Sequence, residues 1–89
     1  MKIHFDKLSE LLESGLDIGR IELPEKFQFS VKNPHLPIDK DNLVNPRDWE
    51  AMKEFDRLGI NYTLRVEPHN SKVYLSISSN ELRRIYSNH

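Results

Sequence analysis

Residues 60–78, INYTLRVEPHNSKVYLSIS, alternate apolar and polar side chains on both sides of a turn-forming tetrapeptide, and this pattern restricts the possible folds most. Ile60, Tyr62, Leu64 and Val66 alternate with Asn61, Thr63, Arg65 and Glu67. Beyond Pro68–Ser71, Val73, Leu75 and Ile77 alternate with Lys72, Tyr74, Ser76 and Ser78. Such period-two alternation predicts an antiparallel hairpin with one buried and one wet face. A lone hairpin is marginal in water, so another element must cover its apolar side.

The stretch just before it supplies that cover. Asn45 suits a helix N-cap, Pro46 the first helical position, and Asp48 the third, as in a capping box. Val44 and Trp49 stand where a hydrophobic staple would form. Trp49, Met52 and Phe55 follow at helical spacing, with Ala51 and Leu58 widening the stripe. Arg57 complements the dipole of the last turn, and Gly59 is placed to end the helix in a left-handed conformation.

The first half carries weaker signals. FDKLSELLESG offers Asp6 as an N-cap, Leu8, Leu11 and Leu12 on one face, and Gly15 as a stop. In GRIELPEKFQFSV, Ile21 and Leu23 precede a turn seeded by Pro24, and Phe27, Phe29 and Val31 alternate after it, which predicts a second hairpin. MKIHF also alternates and would add a fifth strand. In the tail NELRRIYSNH, a short helix would turn Leu82, Ile85 and Tyr86 inward. The expectation is a single α+β domain over residues 1–89. Two antiparallel hairpins would form a sheet of four strands, or five with MKIHF, packed on one face by two helices and followed by the short C-terminal helix.

Between the halves, VKNPHLPIDKDNLVNPRDWE is the widest gap in the apolar pattern. Asp39 and Asp41 fit the first two positions of a calcium loop, and Glu50 falls at the twelfth. Leu43 and Val44 occupy the next ligand position and the glycine position, however, and Glu50 lies inside the capped helix. A crossover ending in a helix cap explains the stretch better.

Composition narrows the function classes. At 89 residues the chain supports one small core, and dimerisation is a common way for such a domain to bury more surface. The lack of cysteine excludes disulfides and thiolate zinc sites. MKIHFDKLSELLESG has no apolar core of signal-peptide length, and no stretch nears the roughly 20 apolar residues of a membrane span, so a cytoplasmic location without a membrane partner is expected. Up to Asn45 there are six basic and eight acidic residues, and beyond it seven and six, so neither half has the basic excess of a generic nucleic-acid binder.

Catalytic motifs are equally sparse. His4, His35, His69 and His89 are scattered without zinc-site spacing. Gly15, Gly19 and Gly59 are too far apart for a phosphate-cradling loop, and no serine sits in a hydrolase elbow. Phe27 and Phe29 follow a lysine much as in RNA-binding sheets, yet Val31 shares their face and the flanking glycine is missing, so a core strand is the better reading. His69 beside Arg65, Lys72 and Tyr74 is the one group from which a small metal-independent ribonuclease could be built.

Together these observations favour a small non-enzymatic binding protein without metal or cofactor. It would act as an inhibitor, adaptor or regulator of bacterial or phage type through contact with another protein. Arg65 and Tyr74 are the expected contact residues because arginine and tyrosine dominate interface hot spots. Lys72 on the hairpin and Arg83 and Arg84 in the tail extend the set. These cations also carry the alternative, a nucleic-acid binder or ribonuclease.

Overall fold

Residues 3–87 are described by a computed structural model. The elements run α1 (Phe5–Glu13), β1 (Lys26–Ser30), α2 (Pro46–Leu58), β2 (Thr63–Glu67), β3 (Lys72–Ser76) and α3 (Ser79–Ser87), with short 3-10 turns at Ile18–Arg20 and Lys40–Asn42. Among the described residues, no helix is long and apolar enough to cross a membrane.

Helix α2 starts and stops where its sequence directs. The Asn45 side chain accepts from the Arg47 N–H at 3.1 Å, Pro46 opens the helix, and Gly59 closes it at φ +73°. The left-handed angle suits glycine because it has no Cβ to clash. The expected capping box is absent, since Asp48 sends no bond back to Asn45, and Val44 is exposed rather than stapled. Helix α1 also starts differently: His4 is its N-cap residue, without a side-chain cap bond, and Asp6 lies inside the first turn.

Among the described residues the sheet has three strands, in the order β1-β3-β2, and both pairings are antiparallel. The predicted hairpin of Thr63–Glu67 with Lys72–Ser76 forms, pairing Leu64 with Leu75 and Val66 with Val73. The predicted first hairpin does not, so the expectation of four or five strands is corrected. Phe27 and Phe29 do lie on a strand, but β1 pairs with β3, setting Phe27 opposite Leu75 and Phe29 opposite Val73. That pairing makes one continuous apolar face across three strands, which a local hairpin would not. Ile21 and Leu23 are buried outside any strand. Their backbone is satisfied from α3 instead: the Leu23 N–H donates to the Tyr86 hydroxyl at 2.8 Å, and that hydroxyl donates to the Ile21 carbonyl at 3.2 Å. Of the proposed fifth strand, Ile3 and His4 join no ladder and Phe5 already begins α1. Met1, Lys2 and His89 lie outside the described residues.

Both α1 and α2 cover the apolar face. Phe5 of α1 stands 5.0 Å from Phe27, 5.6 Å from Phe29 and 5.6 Å from Phe55 of α2, ring centre to ring centre. Phe55, Leu8, Ala51, Val73 and Leu75 are sealed from solvent. Cover thins toward β2, where Leu64 is 39% exposed and Trp49 only partly buried. Strands β1 and β2 are parallel to each other on opposite sides of β3, so the crossover through α2 has to span the central strand.

The long loop is more ordered than its composition implies. A bridge between Val31 and Leu43 closes it, with the Lys32 N–H donating to the Asn42 carbonyl at 2.8 Å. Asn42 is buried at its centre. Asp39 accepts from the Asp41 N–H at 3.0 Å and so caps the Lys40–Asn42 turn.

At the far end, α3 ties the sheet margins together. The Glu81 carboxylate accepts from the Asn61 N–H at 3.1 Å and is ion-paired with Arg84, which holds it below the usual carboxylate range.

Candidate functional site

Strand alternation sends every second side chain to the face that neither α1 nor α2 covers. The register arranges them in three cross-strand rows: Lys26–Ser76–Thr63, Gln28–Tyr74–Arg65 and Ser30–Lys72–Glu67. None of these residues is buried. Lys26, Arg65 and Lys72 stand against the one acid Glu67, so the face is basic although the chain as a whole is not.

Tyr74 occupies the centre of this grid. Lys26 Nζ lies 5.6 Å from its ring centre on one side, and the Arg65 guanidinium carbon 5.4 Å on the other. Both distances fall within the range over which a cation is attracted to an aromatic ring. Arg65 also pairs with Glu67 at 2.9 Å, and Lys72 Nζ donates to the Ser30 hydroxyl at 2.8 Å. These contacts hold long side chains against the sheet, which lowers the entropy still to be lost when a partner binds.

The residues singled out from the sequence divide into two groups. Arg65, Lys72 and Tyr74 share the open face. Arg84 is engaged elsewhere, ion-paired with Glu81 and donating to the Gly59 carbonyl at 3.0 Å at the sheet end away from the hairpin turn. Arg83 is exposed on the same helix. Lys26 and Gln28 belong to the face and escaped the sequence reading. Their alternation with Phe27 and Phe29 was visible, but not the strand beside which they would stand.

The hairpin end gathers the residues for acid–base chemistry, with Glu67 2.9 Å from Arg65 and 3.6 Å from His69 Nδ1. The His69 side chain is 75% exposed and that of Arg65 67%. His69 therefore stands largely in solvent at the rim of the sheet face. Among the described residues, no group of three or more His, Asp or Glu side chains converges to hold a metal ion.

A second polar cluster lies at the β1 edge, where the starts of α1 and α2 meet. Asp6 accepts from Asn45 Nδ2 at 3.2 Å, and Asp48 lies beside it in a cavity of about 220 Å³ that Gln28 and Ser30 also line. Burial, and then the neighbouring Asp6 charge, push the Asp48 carboxyl up to about 6. Sequence reading assigned both acids to helix capping and saw nothing more in them.

Comparison with protein-family models, with curated proteins and with solved structures finds no match, so the functional reading rests on these residues alone.

Proposed function

We propose that this chain is a small non-enzymatic binding protein, an inhibitor, adaptor or regulator that applies the outer face of its sheet to an acidic surface of another protein in the cytoplasm. One observation carries the reading. Tyr74 sits at the centre of an uncovered sheet face with Lys26 and Arg65 held over its ring. An aromatic anchor ringed by cations already ordered against it is the composition that interface hot spots favour.

The test is quantitative capture from cell extract with wild-type protein, Tyr74→Ala and Arg65→Ala. A partner recovered by the wild type should fall several-fold with each variant while the melting temperature stays within a few degrees, since both side chains lie outside the core. Equal recovery by all three proteins rejects the assignment.

The three cations of this face, Lys26, Arg65 and Lys72, also support a second reading, contact with a nucleic-acid backbone. Gel shifts at two salt concentrations separate the two, because phosphate contacts make affinity fall steeply with salt. A salt-sensitive shift that needs Arg65 and Lys72 would favour this alternative.

A further inference from the structure

The cleft between the starts of α1 and α2 contains a carboxyl group that the fold leaves without a partner. Asp48 is 5% exposed, and among the described residues no donor reaches its side chain. Among the described residues no fully buried side-chain oxygen lacks a hydrogen bond, so the Asp48 oxygens keep a narrow opening, and they open onto the 220 Å³ cavity. Buried polar groups are almost always bonded, and an exception calls for a reason. The helix dipole accounts for an acid in the first turn of α2, but not for its burial beside a second carboxylate. Among the described residues Asp6 has one donor, Asn45 Nδ2, for its two oxygens. The pair has more acceptor capacity than the fold supplies donors.

We propose that this cleft receives a single organic cation head, an alkylguanidinium or alkylammonium group, seated between Asp6 and Asp48. A planar guanidinium supplies several N–H donors in a fixed fork, which is the complement of two adjacent carboxylates. Phe5 and Phe29 line the same cleft and give its stem an apolar wall. The cavity is smaller than the roughly 300–1,000 Å³ usual for drug-sized ligands, which suits a head group on a short stem. A divalent metal ion needs more oxygen ligands than two carboxylates provide, and no third acidic or histidine ligand converges here among the described residues. Gln28 lines the cleft and also stands on the outer sheet face, so the cation can come from a side chain of a bound protein as well as from a free amine.

The site is pH-sensitive in a defined direction. A cation prefers ionised Asp48, so affinity falls as pH drops through about 6. Among the described residues, the other charged or titratable groups at the site are Asp6 on α1, His4 before it, and Lys72 of β3, whose ammonium reaches Ser30 on the cleft wall.

The experiment is an amide-resolved NMR titration of the full chain with methylguanidinium chloride and, separately, with a short arginine-containing peptide. Saturable shifts at Asp6, Gln28 and Asp48 are expected, weakened about tenfold or more by Asp48→Asn and by Asp6→Asn. Binding should be weaker at pH 5 than at pH 7.5, and that difference should persist in His4→Gln. Much tighter binding of the peptide, lost when its arginine is replaced by citrulline, identifies a protein side chain as the source; comparable binding of methylguanidinium identifies a free cation. Absence of saturable shifts with both probes, or equal affinity in wild type and Asp48→Asn, overturns the proposal. So does a tighter response of the same amides to magnesium or calcium chloride.

Discussion

Asn42 and Asn33 hold each other through two hydrogen bonds: the Asn33 N–H donates to Asn42 Oδ1 at 2.9 Å, and Asn42 Nδ2 donates to the Asn33 carbonyl at 2.9 Å. The same Nδ2 reaches the carbonyls of Pro37 at 3.1 Å and Leu36 at 3.4 Å. One buried amide thus replaces the backbone partners that a proline-punctuated loop cannot provide for itself.

Asn42→Ala should therefore destabilise the protein more than an ordinary loop substitution. Leaving several buried backbone groups unpaired costs about 2–3 kcal/mol. Urea unfolding measures the loss, and hydrogen exchange should show the amides of Lys32 and Asn33 opening first. A change below about 0.5 kcal/mol, the scale of ordinary surface substitutions, would mean that water replaces the clasp.

Gly59→Ala isolates a backbone effect. A Cβ at Gly59 would meet nothing within 4 Å, so there is no steric contact to blame. The remaining penalty is that of an alanine at φ +73°, about 1 kcal/mol, and Gly59→Asn should lose less because asparagine tolerates the left-handed region. Thermal unfolding of the two variants gives the order directly.

Tyr86→Phe removes a hydroxyl that serves both the Leu23 N–H and the Ile21 carbonyl. About 1–2 kcal/mol of stability should go, with faster amide exchange at Leu23 as the local signature. Unaltered exchange there would show that the hydroxyl is not what holds residues 21–23 to α3.

The Asp48 carboxyl, raised from 3.8 to about 6 by burial and by Asp6, makes stability depend on pH with a definite sign. Between these values the native protein keeps a proton that the unfolded chain has released. The associated stability is fully present below about pH 4 and is lost as pH rises through 6. Asp48→Asn should accordingly be more stable than wild type at pH 7–8, by on the order of 1–2 kcal/mol after loss of the helix-dipole contact, and no more stable near pH 4. Melting curves across that range decide it, and they also show that the variant used in the cation titration is folded.

Much of this architecture is legible in the chain, and the misses share one cause. Phe27, Phe29 and Val31 announce a strand with an apolar face, but alternation specifies a face and not a neighbour. Ile21 and Leu23 carry the same alternation and become irregular backbone bonded to Tyr86, a residue more than sixty positions away. Of the proposed contact residues, Arg65, Lys72 and Tyr74 could be read together because one hairpin carries them all. Lys26 could not, since its place beside Tyr74 depends on which strand β1 joins.

Residue order alone dictates the elements whose signals act within a turn or two of chain. Asn45, Pro46 and Gly59 delimit α2, and the alternation around Pro68–Ser71 makes the β2–β3 hairpin, because caps and turns are decided by immediate neighbours. Long-range packing set the pairing of β1 with β3, the placing of Lys26 and Arg65 on either side of one tyrosine, and the burial of Asp48 beside Asp6. Those outcomes depend on which distant surfaces come together to exclude solvent, and such proximity is not written in the spacing of residues along one strand or helix.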